Sequence, residues 1–116
     1  MQAIRVNLFS GGNGEQETVT VDLGWERTFY AWCQVNAIDS LNDFDRDNAV
    51  AIDIVRVDGN LTTWRASGGD HFGPANAESN VREGALTGFG RRVTFRLRAF
   101  HKSDLWAYGT GIVLVP

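Results

Sequence analysis

Hydrophobic and polar residues alternate along most of this chain, and a period of two is the pattern of a half-buried β-strand. From Ala3 to Phe9 the positions Ile4, Val6 and Leu8 share one face, with Arg5 and Asn7 on the other. Thr18 to Leu23 repeats the pattern, with Val19, Val21 and Leu23 inward and Thr18, Thr20 and Asp22 outward. Between them Ser10-Gly11-Gly12-Asn13-Gly14 breaks the alternation, so the two runs read as a β-hairpin about a glycine-rich turn. Arg27 to Asn36 carries Phe29, Ala31, Cys33 and Val35 on one face and Tyr30, Trp32 and Gln34 on the other. Both faces are partly apolar, as in a central strand covered on both sides.

Val50 to Val57 and Leu61 to Ala66 flank Asp58-Gly59, the strongest hairpin signal in the sequence. Val93 to His101 places Val93, Phe95, Leu97 and Ala99 inward, with Thr94, Arg96 and Arg98 outward. Lys102-Ser103-Asp104 then turns the chain into a last strand, Leu105 to Val115. Residues 67–91 stand apart: Gly68, Gly69, Gly73, Gly84, Gly88, Gly90 and Pro74 make them a long irregular excursion. Loops of that length tend to be functional or mobile. About seven strands and no convincing amphipathic helix predict an all-β fold, a small antiparallel β-sandwich of jelly-roll type.

Length and composition narrow this further. A chain of 116 residues is expected to form one domain, and a domain of that size buries about 65% of its unfolded surface without needing a metal or disulfide. The net charge of −3 argues against a nucleic-acid partner. Cys33 is the single cysteine and sits in an apolar run, so it reads as a small core hydrophobe. The first residues lack a basic stretch followed by an apolar one, which predicts synthesis in the cytoplasm without a signal peptide. A role outside the cell would then follow release or attachment to a particle. No apolar run approaches the ~20 residues of a membrane span.

Catalytic chemistry finds little footing. His71 and His101 are the only imidazoles, and Ser67, Asp70 and His71 lie too close in sequence to converge as a triad. Neither a nucleophile elbow nor a phosphate-cradling loop before a helix is present, which predicts a protein that is not an enzyme. Asp43, Asp45 and Asp47 put hard oxygen ligands at alternate positions in an acidic loop, a calcium-like spacing, although Arg46 intrudes. The plain alternative is a solvated acidic loop with no cofactor. Four tryptophans, Trp25, Trp32, Trp64 and Trp106, are many for this length. An indole face stacks on the C–H face of a pyranose while neighbouring polar groups bind its hydroxyls. Trp64, with Arg65 beside it and Asp70 and His71 soon after, and Trp106, with Tyr108 on the same strand face, are the candidate carbohydrate contacts. Arg92, Arg96 and Arg98 share a strand face that reads as ordinary solvated surface, as a subunit contact or, against the net negative charge, as a nucleic-acid groove.

The stretch Val93-Thr94-Phe95-Arg96-Leu97-Arg98-Ala99-Phe100-His101, followed by Leu105-Trp106-Ala107-Tyr108 and Ile112-Val113-Leu114-Val115, resembles the closing hairpin of the H-type lectin domain. Ile112 or Val113 stands where that family usually has a tryptophan. The resemblance implies a six-stranded antiparallel sandwich, assembly as a trimer or dimer of trimers, and binding of GalNAc-type sugars between subunits. The sequence thus points to a non-catalytic, lectin-like carbohydrate-binding module that forms a homo-oligomer. The alternative is a structural or assembly subunit, such as a phage or particle decoration or tail protein.

Overall fold

The computed structural model describes residues 1–11, 15–40, 49–67, 83–100 and 105–116. At 37–40, 49–50, 63–67, 83–84, 99–100 and 105–106 the description is of the backbone. All regular elements among these residues are strands: β1 (Gln2–Ser10), β2 (Gln16–Ser40), β3 (Ala49–Val57), β4 (Asn60–Ser67), β5 (Glu83–Phe100) and β6 (Leu105–Val115). They pair antiparallel throughout, in the order β1-β6-β2-β5-β3-β4.

Two of these strands are too long to be straight. The 25 residues of β2 would extend about 80 Å at the usual strand rise, whereas the longest extent of the molecule is 46 Å. The bend falls where the β2–β5 register shifts, between Asp22 and Arg27. Gly24 lies there at φ +89°, in the left-handed region that glycine enters at no steric cost. Its N–H donates to the Asp22 carboxylate at 2.8 Å, a local side-chain turn that fixes the corner. Before the bend, residues 16–22 pair with 92–98 of β5; after it, 27–34 pair with 83–90 of β5 and 30–40 with β6.

The single sheet is therefore folded into two facing layers that share β2 and β5, which is how strands make the corners of a sandwich. One layer holds residues 16–22, the distal half of β5, β3 and β4. The other holds the remainder of β2, the proximal half of β5, β6 and β1. Between them lie Leu8, Phe29, Ala31, Cys33, Val35 and Val113 of one layer, and Val21, Ile52, Ile54, Val93, Phe95 and Leu97 of the other, all buried. Cys33 is fully buried, its Sγ 3.7 Å from the Ile52 carbonyl oxygen, as expected of a core residue. The layers approach closely over β6. A Cβ at Gly111 would stand 2.7 Å from the Phe95 ring, and one at Gly109 would stand 2.9 Å from Ile52.

The β3–β4 hairpin forms at Asp58-Gly59, both with positive φ (51° and 83°) as a type I′ turn requires. The other two predicted hairpins do not form. β1 pairs with β6 rather than β2, and β5 pairs with β2 and β3 rather than β6. Both connections instead pass from one layer to the other. Alternation reports which face is buried, and it is identical for a hairpin and for an arch between layers. The six antiparallel strands implied by the lectin-like resemblance are present, but its closing hairpin is not.

Among the described residues six strands stand where seven were expected, because 18–23 and 27–36 are two arms of β2. Residues 83–91, read as irregular from their glycines, are the first half of β5. Gly88 serves close packing there, since a Cβ would meet the Phe29 ring at 2.8 Å.

Candidate binding face

The outer surfaces of the two layers differ in chemistry. On the first layer the outer face is polar and internally paired. Asp53, 5% exposed, accepts hydrogen bonds through Oδ2 from Arg96 at 2.8 Å and Arg98 at 3.2 Å. Neighbouring Thr20 and Thr94 share a hydroxyl hydrogen bond at 2.9 Å. At the bend, Asp22 accepts from Arg91 Nε at 2.9 Å and lies 3.5 Å from Arg92. The Arg91 hydrogen bond, aided by the Gly24 N–H, pulls the Asp22 carboxyl from 3.8 down to about 2 and raises Arg91 in turn. The arginine face therefore turns to carboxylates of its own chain, an arrangement that none of the three readings of that face from sequence included.

The second layer presents aromatic rings outward. Phe29, Ala31 and Cys33 point into the core, so the alternation turns Tyr30 and Trp32 to the opposite side, where Tyr30 is exposed and Trp32 half-buried. That side was expected to be covered, but among the described residues no further layer lies on it. The register ranks its side chains in rows across β1, β6 and β2. Phe9 sits beside Tyr108, then Asn7 beside Thr110 and Gln34, Arg5 beside Ile112 and Trp32, and Ala3 beside Leu114 and Tyr30. Phe9 and Tyr108 pack with ring centroids 5.0 Å apart at 43° and remain 41% and 48% exposed.

The next row is a polar strip. Thr110 is buried; its hydroxyl accepts a short hydrogen bond from Asn36 Nδ2 and donates to Asn7 Oδ1 at 3.4 Å. At the far end, Phe89 on β5 is 62% exposed, and Arg27 stacks its guanidinium 4.4 Å from the centroid of Trp25.

Of the sugar contacts expected from sequence, Tyr108 lies on this face. Trp106 precedes it on β6, in register with Asp39. Trp64 and Arg65 occupy β4 of the opposite layer, in register with Ile54 and Asp53, so the two proposed tryptophans do not share one sheet face. Asp70 and His71, and the calcium candidates Asp43, Asp45 and Asp47, lie outside the described residues. No cluster of metal-ligating side chains occurs among the described ones. Phe9, Asn7 and Asn36 were not singled out from sequence, and Tyr30 and Trp32, noted there for the apolar second face of their strand, were not placed among the sugar contacts. The available signal was the apolar second face of the third strand, which solvent exposure rather than a covering layer accounts for.

Fold and topology define the class, an antiparallel β-sandwich. No family model matches the sequence, and no curated protein matches it. Among solved structures the chain is similar to the Bacillus endospore appendages, a family of disulfide-linked pili, with a TM-score of 0.50 and 10% identity over 98% of this chain and 87% of that one. It is also similar to a family 35 carbohydrate-binding module from Clostridium thermocellum, with a TM-score of 0.42 and 11% identity over 95% and 90%. A family 35 module from Cellvibrio japonicus gives a TM-score of 0.42 and 9% identity over 91% and 72%. At 10% identity the likeness to the appendage protein is one of fold alone.

Proposed function

We propose that the protein is a non-catalytic carbohydrate-binding module and that the outer face of the β1–β6–β2 layer is its binding surface. The observation that carries this reading is the placement of the exposed Phe9–Tyr108 pair next to the Asn7–Thr110–Asn36 strip. Aromatic rings offer a platform for the C–H face of a sugar, and the adjacent exposed amides of Asn7 and Asn36 supply donors and acceptors for its hydroxyl groups. The strip is already tied together by its own hydrogen bonds, so little side-chain entropy is lost on binding.

A glycan array probed with wild type, Tyr108→Ala and Trp64→Ala tests the assignment. Wild type and Trp64→Ala are expected to bind the same glycans, and Tyr108→Ala to lose them. Loss with Trp64→Ala alone would move the site to β4, and a blank wild-type array would end the sugar reading.

A second reading, a homo-oligomeric structural subunit, is favoured by the two sheet edges. β1 and β4 each pair on one side among the described residues, and unpaired strand edges are templates for joining another chain. Leu61 on β4 is 71% exposed. Disulfide linkage of the pilus kind does not fit, because the one cysteine of these 116 residues is buried in the core. Light scattering that shows a monomer at high concentration would exclude the assembly reading.

A further inference from the structure

The aromatic residues of the outer face do not gather at one point, and this bears on the shape of the ligand. Tyr108 opens the series, Trp32 follows two rows further on, Tyr30 occupies the next row, and Phe89 the row after that, opposite Thr28. These residues belong to β6, β2, β2 and β5, so the series runs diagonally across neighbouring strands as well as along them. From the Tyr108 row to the Phe89 row is about 25 Å at the usual strand rise. A single terminal sugar covers a small part of such a track.

Charge is sparse along it. Among the described side chains of these rows, Arg5 is the one ionised group, with Glu17 at the Phe9 N–H and Arg27 over Trp25 at the two ends, while Asn7, Gln34, Asn36 and Thr110 are neutral hydrogen-bonding groups. The opposite layer, by contrast, concentrates arginines and aspartates on its outer side. An anionic chain would find few cations to meet it on the aromatic face, whereas a neutral one brings no charge of its own to be desolvated there.

Resting on the carbohydrate reading above, we infer that this face holds an extended, neutral polysaccharide chain lying along the Tyr108–Trp32–Tyr30–Phe89 diagonal. Successive sugar units would rest on successive rings, and the exposed amides of Asn7 and Asn36, held from beneath by the buried Thr110 hydroxyl, would bind the hydroxyl edge of the units that pass between Tyr108 and Trp32. Each ring then contributes separately, which makes affinity a function of chain length.

The test uses affinity electrophoresis against cellulose derivatives, xylan, mannan and soluble chitin. Calorimetry follows with oligomers of increasing length from whichever polymer is retained. Affinity is expected to climb with length, with no measurable binding of the monosaccharide. Tyr108→Ala and Trp32→Ala are each expected to weaken binding of the long oligomer about tenfold. Tyr108→Phe and Trp32→Phe, which keep a ring on the open face, serve as folding-neutral companions and should retain most of the affinity. Equal affinity for monosaccharide and long oligomer would overturn the extended site while leaving a sugar-binding protein. Retention of full affinity by Trp32→Ala would likewise confine binding to the Tyr108 end. Failure to bind any of the polysaccharides or oligomers would overturn both this inference and the reading beneath it.

Discussion

Asp53 shows how much one side chain can organise. Its carboxylate, nearly closed off from solvent, holds two guanidinium groups through a single oxygen. Arg96 and Arg98 retain only about a quarter of their side-chain exposure in the process. Asp53→Ala would leave both cations without that partner, and breaking such a pair costs about 3 kcal/mol. A urea titration should show this as a lower midpoint. A loss below ~1 kcal/mol would mean that the arginines are solvated as at any surface.

Asp22 is the exposed counterpart. Because its folded pKa of about 2 lies below the ordinary 3.8, the native state favours the ionised form. Its contribution to stability is complete above that ordinary value and is lost as pH falls from there toward about 2. Asp22→Asn should therefore flatten the decline of melting temperature across that acid window. Solvent screening keeps the effect small, since Asp22 and Arg91 are both exposed.

Among the elements, β6 is fitted tightly to the opposite layer. Gly111 lies under the Phe95 ring with no room for a methyl group. Overpacking of this kind costs about 1–3 kcal/mol. Gly111→Ala should lower the melting temperature, and Phe95→Leu in the same chain should recover part of the loss by clearing the ring. An unchanged melting temperature for Gly111→Ala would show that the layers can part at β6.

Such glycines also explain where strands escaped detection. In sequence, Gly84, Gly88 and Gly90 suggest a loop, because glycine marks turns more often than close packing. Here they lie within β5, with Gly88 against Phe29 and Gly90 against Val57 and Asp58. Asp58-Gly59, by contrast, was legible because its signal is wholly local: two residues whose positive φ suits one turn type.

For the whole molecule, the inward face of nearly every strand could be read from alternation, and the buried set from Leu8 to Val113 follows it. Pairing could not. Period two says that a strand has a buried side, but not which strand lies beside it. The chain crosses between layers at both connections that resembled hairpins. The binding face was half legible for the same reason. Tyr30 and Trp32 stood out as apolar on the second face of their strand, yet only the sheet order sets them in rows with Tyr108, Ile112 and Leu114. The attention given to Trp64 and Trp106 rested on residue type and polar neighbours in sequence, and three strands of the sheet order intervene between β4 and β6.

The β1–β6 ladder begins at Gln2 opposite Val115 and closes at Ser10 opposite Ala107. That register has a mechanical meaning. A load applied at Gln2 and Val115 meets the ladder at one end and opens its hydrogen bonds one pair at a time, like a zip. A load between Ser10 and Val115 would instead shear the whole ladder at once. Tethered at Gln2 and Val115, the sandwich would therefore yield first by peeling β1 from β6.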